Sequence, residues 1–335
     1  MRNKLKSTFI QLSLVSLTSI IPFSAQAQTD TILNASYDVA RELFSAYNPL
    51  FEAQWQQENG TPLKVEQSHA GTSRQAQAIM QGLKADVVTF NQVTDIDALA
   101  KRGLVAEDWQ QKFPNNASPY YSTIAFLVRK DNPKNIQNWD DLVREDVTVI
   151  FPNPKTSGNA RYSYLGACLF ANEQFNGDED QTKDFVKKLL HNVENFPTGG
   201  RGATVAFANN EQGDVLLTFE SEVISIANSD EFKAQEFEII VPPVSVLAEF
   251  PVAVVDKVTE QKNSAKEAKA YLDYLYATPA QELLSQYNYR IHDESVTTNL
   301  PEVRLINPTE VIGDWDQIQE THFVSGGVLD QLLIK

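Results

Sequence analysis

The stretch Asn153-Pro154-Lys155-Thr156-Ser157-Gly158-Asn159 decides the fold. It follows a short apolar run at 148–151 and leads into a helical pattern over 160–174. Two other stretches share its make-up. Ser68-His69-Ala70-Gly71-Thr72-Ser73 lies between an apolar run at 63–66 and a helical pattern over 74–84. Thr198-Gly199-Gly200-Arg201-Gly202 opens onto Ala203-Thr204-Val205-Ala206-Phe207. Five of the 14 glycines fall in these three loops, so glycine is concentrated where an extended segment turns into a helix.

Working outward, short apolar runs alternate with amphipathic ones. The patterning predicts strands at 31–33, 63–66, 86–90, 122–129, 148–151, 214–219, 237–241 and 251–255. It predicts helices over 39–57, 74–84, 95–101, 140–144, 160–174, 181–193 and 265–277. In the last, Ala268, Tyr271, Leu272 and Leu275 keep the spacing of a helical apolar face. Thr278-Pro279 then stops it and starts another short helix, running to about Tyr287. Strands alternating with helices predict an α/β fold built on mainly parallel sheet. No repeat or Pro/Gly/Ser linker divides the chain. Two lobes joined by strand-like crossings, with 122–129 and 248–254 as candidates, need no such linker.

The N-terminus carries Arg2, Lys4 and Lys6, an apolar stretch to about Phe23, and Ala25-Gln26-Ala27. Charged start, apolar middle and small-residue end make a secretory signal, cleaved after Ala27. No Cys lies near the cleavage site for a lipid anchor, and no later run of about 18 apolar residues spans a membrane. The only cysteine, Cys168, lies in an apolar helical stretch, which predicts buried packing. The formal charge is −16, and losing Arg2, Lys4 and Lys6 takes it to −19. Such a surface repels nucleic acid and anionic lipid heads, and it offers a small anion no long-range attraction.

Enzyme signatures are lacking. His69, His191, His292 and His322 are scattered, without metal-ligand spacing. There is no P-loop, no G-x-S-x-G elbow and no dinucleotide fingerprint. The three loops point instead to anion binding. First-turn helix amides have no internal acceptor, and the helix dipole adds roughly half a positive charge there. Glycine lets backbone N–H groups close on a ligand. Three converging starts supply on the order of +1.5, enough to hold a dianion without a cation. Taken singly, each loop also reads as an ordinary helix cap.

At these loops the chain resembles the periplasmic sulfate- and thiosulfate-binding proteins of bacterial ABC importers. Besides the three loops, the carrying motifs are Asn34-Ala35-Ser36-Tyr37-Asp38, Ala85-Asp86-Val87-Val88-Thr89 and Gly213-Asp214-Val215-Leu216, with Leu247-Ala248-Glu249 and Val254-Val255-Asp256-Lys257 beyond them. The resemblance implies a type II fold of two lobes, each a mainly parallel sheet flanked by helices, with the ligand in the interlobe cleft. It implies lobe 1 at 28–122 plus 253–300 and lobe 2 at 123–252, with 301–335 unassigned. It implies a monomeric periplasmic receptor that needs no cofactor and delivers its anion to a membrane permease. The implied donors are the backbone N–H of Thr72, the N–H and hydroxyl of Ser157, and the N–H of Gly158, Asn159 and Gly200. Ser36, Asp38 and Arg201 would lie in or behind that shell.

One position departs from the sulfate-specific pattern. Where those members place an indole donor, this chain has Phe219, within Phe219-Glu220-Ser221-Glu222 as in the thiosulfate-binding branch. Thiosulfate replaces one oxygen by a larger, softer sulfur that accepts hydrogen bonds poorly, and an apolar ring edge suits it. Thiosulfate is therefore the expected ligand, with sulfate also bound. Phe219 as mere packing, with Thr218 as the donor, is the alternative. Other tetrahedral oxyanions, molybdate and phosphate, remain rivals, as does a secreted hydrolase using Ser157 with a nearby base.

Overall fold

The computed structural model describes residues 30–334. The signal segment and its cleavage point lie outside the described residues. Two four-stranded sheets carry the fold. The first has the order β11-β3-β1-β2: β1 is Thr31–Ser36, β2 Lys64–His69, β3 Val87–Thr89 and β11 Val252–Val254. The second has the order β6-β7-β5-β8: β5 is Ile124–Val128, β6 Val149–Ile150, β7 Val215–Phe219 and β8 Glu238–Ile240. Each sheet is covered by helices, which gives the two-lobed type II architecture.

Strand directions follow from how the chain crosses. β1 runs parallel to β2 and β3, and β6 parallel to β7. β4, Tyr120–Ser122, pairs antiparallel with β10, Ala248–Glu249, between the lobes. Each then continues into a sheet: β4 into β5 and β10 into β11. A strand entering from the cleft starts where the parallel strands end, so it must run against them. β11 opposes β3 at an edge of the first sheet. β5 opposes both β7 and β8 from inside the second. The second sheet is thus mixed, and only its β6–β7 pairing is parallel, a correction to the mainly parallel expectation. The interlobe pair falls inside the proposed 248–254 on one side, but on the other it begins at Tyr120, ahead of the proposed 122–129.

β5 shows why a continuous apolar run makes a central strand. Ile124, Phe126 and Val128 face one buried cluster, and Ala125 and Leu127 face another. A strand with both faces buried needs no polar alternation. The larger cluster continues between the lobes through Tyr37, Tyr120, Phe250 and Tyr289, packed ring against ring at 4.9–5.5 Å. Cys168 is buried on helix Gly158–Gln174, as expected.

The C-terminal segment touches both halves. The strand Arg304–Ile306 pairs parallel with β9, Val244–Val246. Trp315 packs edge-on against Tyr162, and Lys155 pairs with Asp330 at 2.8 Å. The exposed Lys101–Asp316 pair, at 2.7 Å, reaches the helix that follows β3. Exposed pairs of this kind contribute little.

Candidate functional site

Every predicted loop follows the C-terminal end of a strand or extended segment, and the loops face one another across the cleft. This is where open α/β sheets bind ligands. The contacts are tight. A Cβ on Gly71 would lie 2.9 Å from the carbonyl oxygen of Thr156. One on Gly158 would overlap Asn91 Oδ1 and lie 2.8 Å from Gln92 Cβ. One on Gly199 would lie 2.6 Å from Asp38 Oδ2. The second-lobe loops are also tied to each other: Asn153 N–H donates to Pro197 O at 2.7 Å, and Thr156 Oγ1 to Thr198 O at 2.9 Å.

The amide donors follow from where each helix makes its first bond. Helix Thr72–Met80 begins its ladder with Arg74 and Gln75 donating to Gly71 O, so the amides of Thr72 and Ser73 come before it. Helix Gly158–Gln174 begins with Arg161 donating to Ser157 O, so Gly158 and Asn159 come before it. Helix Gly200–Thr204 begins with Ala203 donating to Gly199 O, leaving Gly200 ahead of it. Ser157 differs from expectation. Its amide donates to Asn153 O at 3.0 Å within the 153–157 turn, so only its hydroxyl is offered. That hydroxyl makes no capping bond to its own helix.

Side chains fix the loops from behind. Thr72 Oγ1 and Ser73 Oγ donate to Asp95 at 2.5 and 2.9 Å. Arg161, from the second lobe, reaches Thr94 Oγ1 at 2.8 Å and Asp95 at 3.4 Å, and this ion pair is buried. Arg201 turns away from the cleft, pairing with Glu42 at 3.0 Å on the exposed rim, while its amide meets Asp38 at 3.4 Å. Burial raises the Asp38 carboxyl above the usual range. The basic groups of these loops are therefore matched by carboxylates: Arg161 by Asp95, Arg201 by Glu42 and Lys155 by Asp330.

Ser36 Oγ and Gln92 Nε2 are buried donors without an acceptor among the described residues. Both stand at strand ends in the cleft, Ser36 at the end of β1 and Gln92 capping the helix after β3. An unmatched buried donor costs about 1–3 kcal/mol, so such groups call for an acceptor. Ser36 belongs to the expected set. Gln92 and Asn91 were missed, because that turn has no glycine to mark it.

Phe219 is fully buried at the end of β7, edge-on to Phe250 at 4.8 Å and tilted on Tyr162 at 6.2 Å. Thr218 is not a spare donor in its place: its hydroxyl is held by Glu222. Glu222 is the largest surprise. It is buried, and it also accepts from Thr204 Oγ1 at 2.9 Å and Asn159 Nδ2 at 3.2 Å. Burial, reinforced by the nearby Asp38 charge, pushes its carboxyl up to about 7. Its spacing of four from Thr218 was the available signal, but on so acidic a chain it reads as surface.

A model of the family described as bacterial extracellular solute-binding protein matches residues 36–290. The chain belongs to that family. This solute-binding protein is 51% identical over 325 residues to a thiosulfate-binding protein of Escherichia coli K12, spanning 95% of this chain and 96% of the relative. It is 43% identical to a sulfate-binding protein of Salmonella typhimurium, spanning 95% and 96%. Among solved structures it resembles the sulfate-binding protein of Mycobacterium tuberculosis H37Rv, with a TM-score of 0.78 at 30% identity, covering 88% of this chain and all of that one.

Proposed function

We propose that this solute-binding protein is a periplasmic receptor that captures thiosulfate, and sulfate as well, and delivers the anion to an ABC permease. The observation that carries the reading is the convergence of three uncharged helix starts from two lobes. Their amides at Thr72, Gly158, Asn159 and Gly200, with the hydroxyls of Ser157 and Ser36, make a donor set for a tetrahedral dianion. Three helix starts contribute roughly +1.5 of partial charge. A closed, poorly hydrated cleft makes that charge count for far more than in water. The names of the relatives support sulfur oxyanions. Phe219, at the position of the missing indole donor, supports thiosulfate.

In this reading the lobes divide as 28–122 plus 252–300 and 123–251, one residue earlier than expected at the return because Val252 pairs with Thr89 in the first sheet, and ligand contacts from both favour the closed state. The chain acts as a monomer, with its signal removed after Ala27. It needs no cofactor and does not engage nucleic acid. Ser157 serves as a ligand and not as a nucleophile. Among the described residues, no His, Lys or carboxylate hydrogen-bonds to its hydroxyl, as a hydrolase would require.

Monohydrogen phosphate is the second reading, and Glu222 is what favours it. A carboxylate beside the donors can accept the proton that phosphate keeps and sulfate lacks. Thermal denaturation with thiosulfate, sulfate, phosphate and molybdate tests the choice. A ligand at a hundred times its Kd adds about 2.7 kcal/mol of stability. Stabilisation by phosphate or molybdate but by neither sulfur anion would overturn the proposal.

A further inference from the structure

Glu222 is a buried charge whose place in the cleft the donor set does not explain. Its Oε2 would lie 3.3 Å from a Cβ on Gly200, and it holds the side chain of Asn159 at 3.2 Å. Gly200 and Asn159 both contribute amides to the proposed site. A buried carboxylate therefore touches two of the residues that would hold the dianion. Every partner of that carboxylate is neutral: Asn159, Thr204 and Thr218.

The surrounding ionisable groups do not relieve the conflict. Asp38 faces it from the first lobe with the same sign, and Glu42 beyond it is paired with Arg201. Arg201 has the opposite sign, but its guanidinium points to the exposed rim. Tyr289 accepts from Tyr37 at 2.8 Å, and burial keeps it protonated. On the same helix, Glu220 is neutralised by Arg290 at 2.7 and 2.9 Å.

We infer that Glu222 takes up a proton as the cleft closes on a dianion, so that anion capture is proton-coupled. The inference rests on the dianion reading of the site. Burial, with the Asp38 charge, already moves the carboxyl to about 7, and a neighbouring dianion moves it further up. Sulfate and thiosulfate hold no proton in the neutral range, so the proton comes from solvent and stays on Glu222. Asn159 can answer the change. Its Oδ1 is buried without a partner among the described residues. With Glu222 protonated, the carboxamide turned over accepts the new O–H through Oδ1 and frees Nδ2 as a donor.

The test is calorimetric titration of the full mature protein with sodium thiosulfate at pH 6, 7 and 8. Each pH is run in two buffers of different ionisation enthalpy, free of sulfate and phosphate. The expected result is net proton uptake, approaching one per anion above pH 7, and a Kd about tenfold weaker at pH 8 than at pH 6. The Glu222→Gln variant should show neither uptake nor slope, whatever its absolute affinity. Binding without uptake in the wild type overturns the inference, and that outcome does not depend on whether the variant folds. So does a slope that survives Glu222→Gln but vanishes in Asp38→Asn. No thiosulfate or sulfate binding at any pH would refute the receptor reading itself, and the inference with it.

Discussion

Gly158→Ala should weaken anion binding without weakening the fold. Gly158 opens helix Gly158–Gln174 in the second lobe, against the Asn91-Gln92 turn that follows β3 in the first. An added methyl overlaps Asn91 Oδ1 and sits 2.8 Å from Gln92 Cβ, closer than packed carbons approach. Neither neighbour gives easily. Both are buried, and Gln92 Oε1 caps the next helix through Val93 N–H. Overpacking of this kind costs about 1–3 kcal/mol, which predicts a Kd weakened roughly 5- to 150-fold. The cost exists only while the lobes are closed. In an open form alanine fits a helix start at least as well as glycine. The unliganded melting temperature should therefore hold while the affinity falls. Titration calorimetry with thiosulfate, beside thermal denaturation of the free protein, separates the two. Unchanged affinity would refute the argument, and so would a large loss of unliganded stability, since the contact would then be fixed core and not a closing cleft.

Three further outcomes follow from the site. Phe219→Trp adds a ring where Phe250 and Tyr162 already pack, costing about 1–3 kcal/mol of stability, but it supplies a donor worth about 1.5–3 kcal/mol to a charged oxygen. Selectivity measured with both anions should shift towards sulfate, and equal changes for the two would sink the soft-sulfur reasoning. Ser36→Ala removes a buried donor without a protein partner, so affinity should fall roughly 10- to 150-fold with little change in unliganded stability; an unaltered Kd removes Ser36 from the site. Glu222 titrates higher folded than unfolded, so its favourable contribution is complete below the ordinary glutamate range and lost by about pH 7. Denaturant unfolding should find Glu222→Gln gaining on the wild type by up to about 3 kcal/mol between pH 4.5 and 7.5, and a pH-independent difference would contradict the cause given.

Much of this was legible in the sequence because the relevant physics is local. A glycine-bearing turn between a strand and a helix marks an anion-competent helix start, and the structure brings all three such turns together. The crossings were legible in part, because β5 and β10–β11 fall inside runs without a linker, but β4 begins at Tyr120, ahead of the run at 122–129. What sequence did not reveal depends on the closed arrangement. Whether Ser157's amide is free depends on the 153–157 turn folding back on Asn153. Asn91 and Gln92 gain a role only when Gly158 arrives from the other lobe. Glu222 and Asp95 look like two more carboxylates on a chain of charge −16, and only burial separates them from the rest. The mixed second sheet required knowing that β5 enters from the cleft.

Direct calorimetric competition between thiosulfate and sulfate on the mature protein tests the central claim. Both dianions should bind one per chain and displace each other, thiosulfate the more tightly, while chloride and nitrate produce no heat of binding. Failure of both sulfur anions to bind, with phosphate or molybdate taking the site, would contradict it.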